Sequence, residues 1–328
     1  KNANSGATCF YVLANNVTLD CKGFDINYSQ SKVGYGVNNT RFNYSTIKSC
    51  NIVQADIASD TSSSFGVYVF NQVKNHTIVN NTITTFGQVS DGISVSTNVN
   101  NSKIYDNNIT IFGWLGRGVS LSTTYNTFIY GNAITIKLGN FGDLYSHGIK
   151  VISGSAYNII HSNQILVNAS ASSGINLYAL VYNNTIYNNT ITTTQPKSEG
   201  ITLYLSANDN TIYDNNITTK NASSSFGIYI WQNANNNTFF RNTISSLAIG
   251  ILINGSGQGA SQTTRFNTFT NDTIIPCTAG CAANYYDIVL TANATDITFL
   301  NVSFNKSRIA FIPYAPAMPV EKNNLTVQ

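Results

Sequence analysis

The chain has 328 residues, 42% of them hydrophobic and only 9% charged, with a formal net charge of +3. Against the roughly 25% charged residues of ordinary globular proteins, it can bury a large core but has little charge to hydrate its surface. A small, diffuse positive charge without any basic run excludes a nucleic-acid-binding protein, and no run of 18 apolar residues is present to span a membrane.

The chain opens at Lys1 without a signal peptide, which reads as a processed product or an excised segment. Near this end lie Cys9, Cys21 and Cys50, and Cys277 and Cys281 follow far downstream. An odd number of Cys suits an oxidising compartment with one sulfur left over. A short loop is expected between Cys277 and Cys281, and a disulfide between Cys21 and Cys50, which the repeat described next brings to one corner. Cys9 is left free.

From Leu19 onward one pattern returns every 25 to 31 residues. An apolar anchor follows a Thr-like position at Leu19, Ile47, Ile78, Ile104, Ile129, Ile160, Ile186, Ile212, Phe239, Phe269 and Ile297. Five places later the chain is apolar again, at Phe24, Ile52, Ile83, Ile109, Ile134, Ile165, Ile191, Ile217, Ile244, Ile274 and Val302. Period-two alternation would put residues five apart on opposite faces, so a corner must lie between them. A marker Gly with alternating apolar residues leads the anchor by 11 or 12 positions, as in Gly174-Ile175-Asn176-Leu177 and Gly200-Ile201-Thr202-Leu203. Each unit thus holds three short strands, and helical periodicity is absent. The expected fold is all-β: a single-stranded parallel β-helix of about eleven coils with three strands per coil, each coil covering the apolar face its neighbour cannot bury alone.

Asn81, Asn107, Asn132, Asn163, Asn189, Asn215 and Asn242 come three residues after the anchor in seven consecutive coils. Asn tolerates the left-handed conformation of a corner, and stacked amides can bond from coil to coil, so these residues are expected to form a buried ladder at that corner. None of the seven begins a sequon, although the chain holds 48 Asn and 69 Ser or Thr. Twenty Asn do begin one, where about ten would arise by chance. They are Asn16, Asn27, Asn38, Asn43, Asn75, Asn80, Asn100, Asn108, Asn168, Asn183, Asn188, Asn216, Asn221, Asn236, Asn254, Asn271, Asn293, Asn301, Asn305 and Asn324. Covalent N-glycans would supply the hydration that charge does not, and would place the chain outside the cell or on its surface.

The unit "Gly-Ile-x-Leu … Asn-Asn-Thr-Ile-x-x-Asn-x-Ile" resembles the repeat of right-handed parallel β-helix proteins of the pectin-lyase-like superfamily, and "NNVTLDCKGFDI" resembles their first complete coil. The resemblance covers about residues 10 to 304. It implies the fold strongly and the function weakly, since that superfamily includes polysaccharide lyases, glycoside hydrolases, copper-delivery proteins, adhesins and surface-layer components.

Enzymes of the superfamily place their active residues on the first strand of the coil and its flanking loops. The position before the marker Gly carries Asp91, Arg117, His147 and Glu199 in one column, so paired acids with an Arg and a His between them are the candidate catalytic set. The alternative is a row of surface ion pairs worth ~0 to 1 kcal/mol each. Three His (His76, His147, His161) and the single Met318, without two suitably spaced His, point to no metal and no cofactor. Two outward aromatic columns are clearer: Tyr105, Tyr130, Tyr187, Tyr213 and Phe240 after the anchor, with His161 among them, and Tyr178, Tyr204 and Trp231 four residues after the Gly. They read as strand stacking, as a protein interface or as a sugar platform.

After residue 304 the chain turns Pro-rich, and 305–328 is expected either to cap the last coil or to dock on a neighbouring subunit. The leading expectation is a glycosylated structural or adhesive surface protein that self-associates into a filament or layer. The alternatives are a carbohydrate-active enzyme and a non-catalytic glycan-binding module.

Overall fold

The computed structural model describes residues 2–55, 63–137, 145–255, 263–312 and 325–327. Among them the chain winds as a parallel β-solenoid of about eleven turns, with three long sheets of 11, 12 and 12 strands and a single 3-10 turn, Lys306–Arg308. No helix among the described residues is long and apolar enough to cross a membrane. The glycine sheet takes the strand that follows each marker Gly, from Phe10–Tyr11 through Ser173–Tyr178 to Ile309–Ile312. The anchor sheet runs from Thr18–Asp20 through Thr185–Tyr187 to Leu325–Val327, and the return sheet from Ala3–Asn4 through Thr190–Thr193 to Thr273–Ile275.

Register makes the core. Ile78, Ile104, Ile129, Ile160, Ile186, Ile212, Phe239 and Phe269 stack in consecutive coils of the anchor sheet and are all fully buried. The return sheet stacks Ile52, Ile83, Ile109, Ile134, Ile165, Ile191 and Ile217 against them. Glycine is required at the entry to the glycine sheet: a Cβ on Gly200 would lie 2.2 Å from Ile217 Cγ2 and 2.5 Å from the Gly227 carbonyl oxygen.

The expected register slips in the outermost coils. In the first, Ile26 rather than Phe24 pairs with Ile52, and Phe24 is 50% exposed. The corner after Leu19 is two residues longer, with Lys22 (φ 50°) and Gly23 (φ 84°) both left-handed. In the last, Phe299 rather than Ile297 stacks on Phe269, and Ile297 moves back into register with Asn267. Val302 then sits beside the sheet, because Ser303 bridges to Thr273.

The expected Asn row is a hydrogen-bonded ladder. Asn189 donates its backbone N–H and its Nδ2 to Oδ1 of Asn215, each at 3.0 Å, and Nδ2 also reaches the Ile160 carbonyl at 3.0 Å. The same set recurs from Asn81 to Asn242. The ladder begins on the Cys50 N–H and ends on Asp272, which accepts from Asn242 N and Nδ2 at 2.7 and 2.9 Å. One detail of the expectation is corrected. The left-handed residue of the corner is not the ladder Asn but the one before it: Asn80, Asp106, Gly131, Ser162, Asn188, Asp214 and Arg241. The ladder Asn keeps ordinary backbone because its side chain, not its φ, is what the corner needs.

Disulfides join Cys21 to Cys50 and Cys277 to Cys281, and Cys9 is free. In the described part of the tail, Ile309–Ile312 pairs with Tyr286–Thr291 and Leu325–Val327 with Ile297–Leu300, so both extend the chain's own sheets. Residues 313–324, with Met318 and Asn324, lie outside the described residues.

Candidate functional site

On a β-sheet, alternate residues face outward, so each coil of the glycine sheet offers three outward positions: the residue before the Gly, and those two and four after it. Over four coils these are His147, Lys150 and Ile152; Ser173, Asn176 and Tyr178; Glu199, Thr202 and Tyr204; and Phe226, Tyr229 and Trp231. Most of this grid lines one open groove of about 490 Å³, walled by Leu115, Tyr145, Ala171 and Lys197 from the turns that precede the strands.

The groove therefore joins two sets of residues that the sequence kept apart, since His147 and Glu199 face the same space as Tyr178, Tyr204 and Trp231. Burial raises the Glu199 carboxyl to about 7, against the stabilising hydrogen bond from Ser173 Oγ at 3.1 Å. Ser173 also shares a hydrogen with Thr202 Oγ1 at 3.0 Å, which fixes the Ser hydroxyl between the two coils. His147 is held well below its usual range by burial and then by the charges of Lys150 and Arg117, and its Nδ1 accepts the Ser173 N–H at 3.0 Å. The neutral ring must then carry its proton on Nε2. Burial and the Arg117 charge lower Lys150 to about 8, and its ammonium lies 5.2 Å from the centre of the Tyr178 ring.

Asp91 and Arg117 lie outside the groove. Asp91 is buried and accepts the Arg117 N–H at 2.9 Å, with the guanidinium at 3.5 Å, so the pair ties two coils together. Burial raises its carboxyl to about 6 while Arg117 pulls the other way. Asp91 stands four coils from Glu199, about 19 Å at 4.8 Å per coil. Glycosidase carboxyl pairs are separated by roughly 5 to 9.5 Å, so these two acids cannot work as a pair.

The two aromatic columns differ in kind. Tyr105, Tyr130, His161, Tyr187, Tyr213 and Phe240 stack almost parallel, with centroids 4.6–5.1 Å apart and planes within 9°. Their faces are stacked on one another along the column. Tyr178, Tyr204 and Trp231 are less regular, with planes 40° and 24° apart, and all three line the groove.

Residues 111–244 match the family described as right-handed β-helix region. That match and the observed three-sheet solenoid decide the fold. The chain folds as a parallel β-helix. Solved structures similar to it include the Dettilon tailspike protein, at 17% identity with a TM-score of 0.60, covering 94% of this chain and 61% of the tailspike. They include also the AlgE6 A-module of the mannuronan C-5 epimerase of Azotobacter vinelandii, at 13% identity and TM-score 0.58, with 93% and 85% covered. A third is DFA-IIIase of Arthrobacter chlorophenolicus A6 in complex with GF2, at 12% and 0.55, with 87% and 72% covered. At such identities these likenesses show the fold alone. No curated protein matches this β-helix by sequence.

Three features of the β-helix escaped the sequence reading. A second ladder joins Asn158, Asn184, Asn210, Asn237 and Asn267, each two residues before an anchor, a spacing the sequence carries. The column of Lys150, Asn176 and Thr202 carried no signal of its own. Sequon exposure is the third. Asn16, Asn80, Asn108, Asn183, Asn188, Asn216, Asn236, Asn271, Asn301 and Asn305 are exposed, whereas Asn38 is buried. The remaining described sequons, at Asn27, Asn43, Asn75, Asn100, Asn168, Asn221, Asn254 and Asn293, are half-buried.

Proposed function

We propose that the protein binds a carbohydrate chain in the groove of the glycine sheet. The observation that carries this reading is the convergence of Tyr178, Tyr204 and Trp231 with Glu199, His147, Lys150 and Asn176 on one concave surface. Sugars present apolar ring faces and a rim of hydroxyls, and this surface offers aromatic side chains for the first and fixed polar groups for the second. Binding rather than cleavage is the better reading, because no second carboxyl stands beside Glu199 among the described residues that line the groove. The filament expectation loses its motives: the long aromatic column stacks on itself, and the described tail strands pair within their own chain.

Trp231→Ala should weaken oligosaccharide binding about tenfold, read by isothermal titration calorimetry, while leaving the melting curve of the solenoid in place. Equal affinity in the variant would remove the groove from the ligand path. Turnover of a bound saccharide that disappears in Glu199→Gln would replace binding by acid catalysis.

The same reading places the protein outside the cell, with glycans on the exposed sequons. Neither Asn ladder begins a sequon, and no sequon stands among the groove residues of the glycine sheet. Intact glycopeptide mass spectrometry of native material should find glycans at exposed corners such as Asn80, Asn183 and Asn188 and none at Asn38. A bare chain would remove the surface-glycoprotein proposal.

A further inference from the structure

We propose that Asn176 selects the ligand of this groove, and that the group it selects is the acetamido substituent of an N-acetylated sugar. The inference rests on the groove being a carbohydrate site and goes on to the chemistry of the sugar.

Asn176 lies between Lys150 and Thr202, its register neighbours in the preceding and following coils. It is only 7% exposed, yet it lines the groove. Its Nδ2 makes a long bond of 3.5 Å to Ser173 Oγ, and its Oδ1 is buried without any hydrogen-bond partner among the described residues. Buried carbonyl oxygens are nearly always paired, so an unanswered one on a residue that lines a cavity marks a place where a ligand donor would be stabilised. One coil away stands the Lys150 ammonium, and beside it the His147 ring, whose Nε2 holds the proton because Nδ1 is already an acceptor. The floor of the groove thus sets one unanswered acceptor next to two donors.

That arrangement sorts ligand classes. A carboxylate offers acceptors only, so a uronate would answer Lys150 and leave Asn176 Oδ1 buried and unpaired. A secondary amide answers both, its N–H to Oδ1 and its carbonyl to Lys150 or His147. The methyl group of an acetamido substituent also finds an apolar wall in Tyr178 and Tyr204. A hydroxyl answers the polar pair without covering that wall. Sites that hydrogen-bond a specific group reject analogues lacking it more strongly than apolar pockets discriminate by size.

The test is calorimetric titration of the full chain with N-acetylglucosamine and N-acetylgalactosamine oligosaccharides, their glucose and galactose counterparts, and oligogalacturonate. The N-acetylated members should bind at least about tenfold tighter than their hydroxyl counterparts. In Asn176→Leu, and in Asn176→Ser should the first fail to fold, that preference should shrink to less than about threefold. Trp231→Ala should weaken both kinds alike. Equal or tighter binding of hydroxyl sugars or uronates, or a preference that survives both Asn176 variants, overturns the assignment while leaving the groove a sugar site. Failure of every saccharide to bind the unaltered chain overturns the groove reading itself.

Discussion

Asn189→Ala should lower the stability of the solenoid by about 4 kcal/mol. Asn189 is buried within the first ladder, where its amide answers four groups besides the Asn215 Oδ1 already described. Its Oδ1 accepts from Asn163 N and Nδ2 at 3.0 and 2.9 Å, and its Nδ2 donates to the carbonyls of Ile160 and Tyr187, both at 3.0 Å. Truncation leaves two donors and two carbonyls of other residues buried without this partner, each at a cost of roughly 1 kcal/mol or more. It also opens a cavity in a column that has no slack, because neighbouring coils are held in register above and below. Asn189→Asp keeps the acceptor but loses the donor and buries a charge, so it should be at least as harmful. Thermal or urea unfolding monitored by circular dichroism reads the loss. A drop under about 1 kcal/mol would mean that water replaces the amide and that the corner is open to solvent.

How much of this was legible in the sequence follows from which positions a β-helix constrains. Ile160, Ile186 and Ile212 must repeat, because each occupies the same inward site in identical coils, and so the period and three-sheet architecture could be read directly. The first coil could not. Its corner holds the two extra residues Lys22 and Gly23 beside the Cys21–Cys50 bridge, and nothing in an apolar spacing reports an insertion at a turn. The groove was half legible. Glu199, His147, Tyr178, Tyr204 and Trp231 were singled out, but in separate columns, because a period assigns residues to columns and does not say which columns share a cavity. Lys150, Asn176 and Thr202 are ordinary outward residues by sequence, and only burial on the floor of a groove distinguishes them. Ring orientation was equally hidden. The Tyr187 and Tyr204 columns look alike in sequence, yet one stacks at 3° and the other at 24° to 40°.

Asp272→Asn should stabilise the protein above pH 6 by up to about 3 kcal/mol and leave it unchanged near pH 3.5. Asp272 occupies the ladder position after Asn242 and accepts Asn242's two donors on Oδ1, as every ladder Asn does. Its Oδ2 therefore stands where the others carry a donating nitrogen, and it is buried without a hydrogen-bond partner among the described residues. Burial raises its carboxyl from 3.8 to about 6, against the pull of those two donors and of the Thr270 backbone. Folded protein thus holds this proton more tightly than the unfolded chain. The stability it confers is fully present below pH 3.8 and fades as pH rises through about 6. Asn at this position supplies the missing donor at every pH, so the variant should lose this part of the pH dependence and gain most where Asp272 is ionised. His76 and His147 act in the opposite sense, since burial lowers both and their contribution fades as pH falls below 6.5. The comparison must therefore be made between Asp272→Asn and the unaltered chain at each pH, not along one curve. Unfolding midpoints that differ by the same amount at pH 4 and pH 8 would show that Asp272 is ionised throughout and that a bound cation or water, rather than a proton, completes the ladder's end.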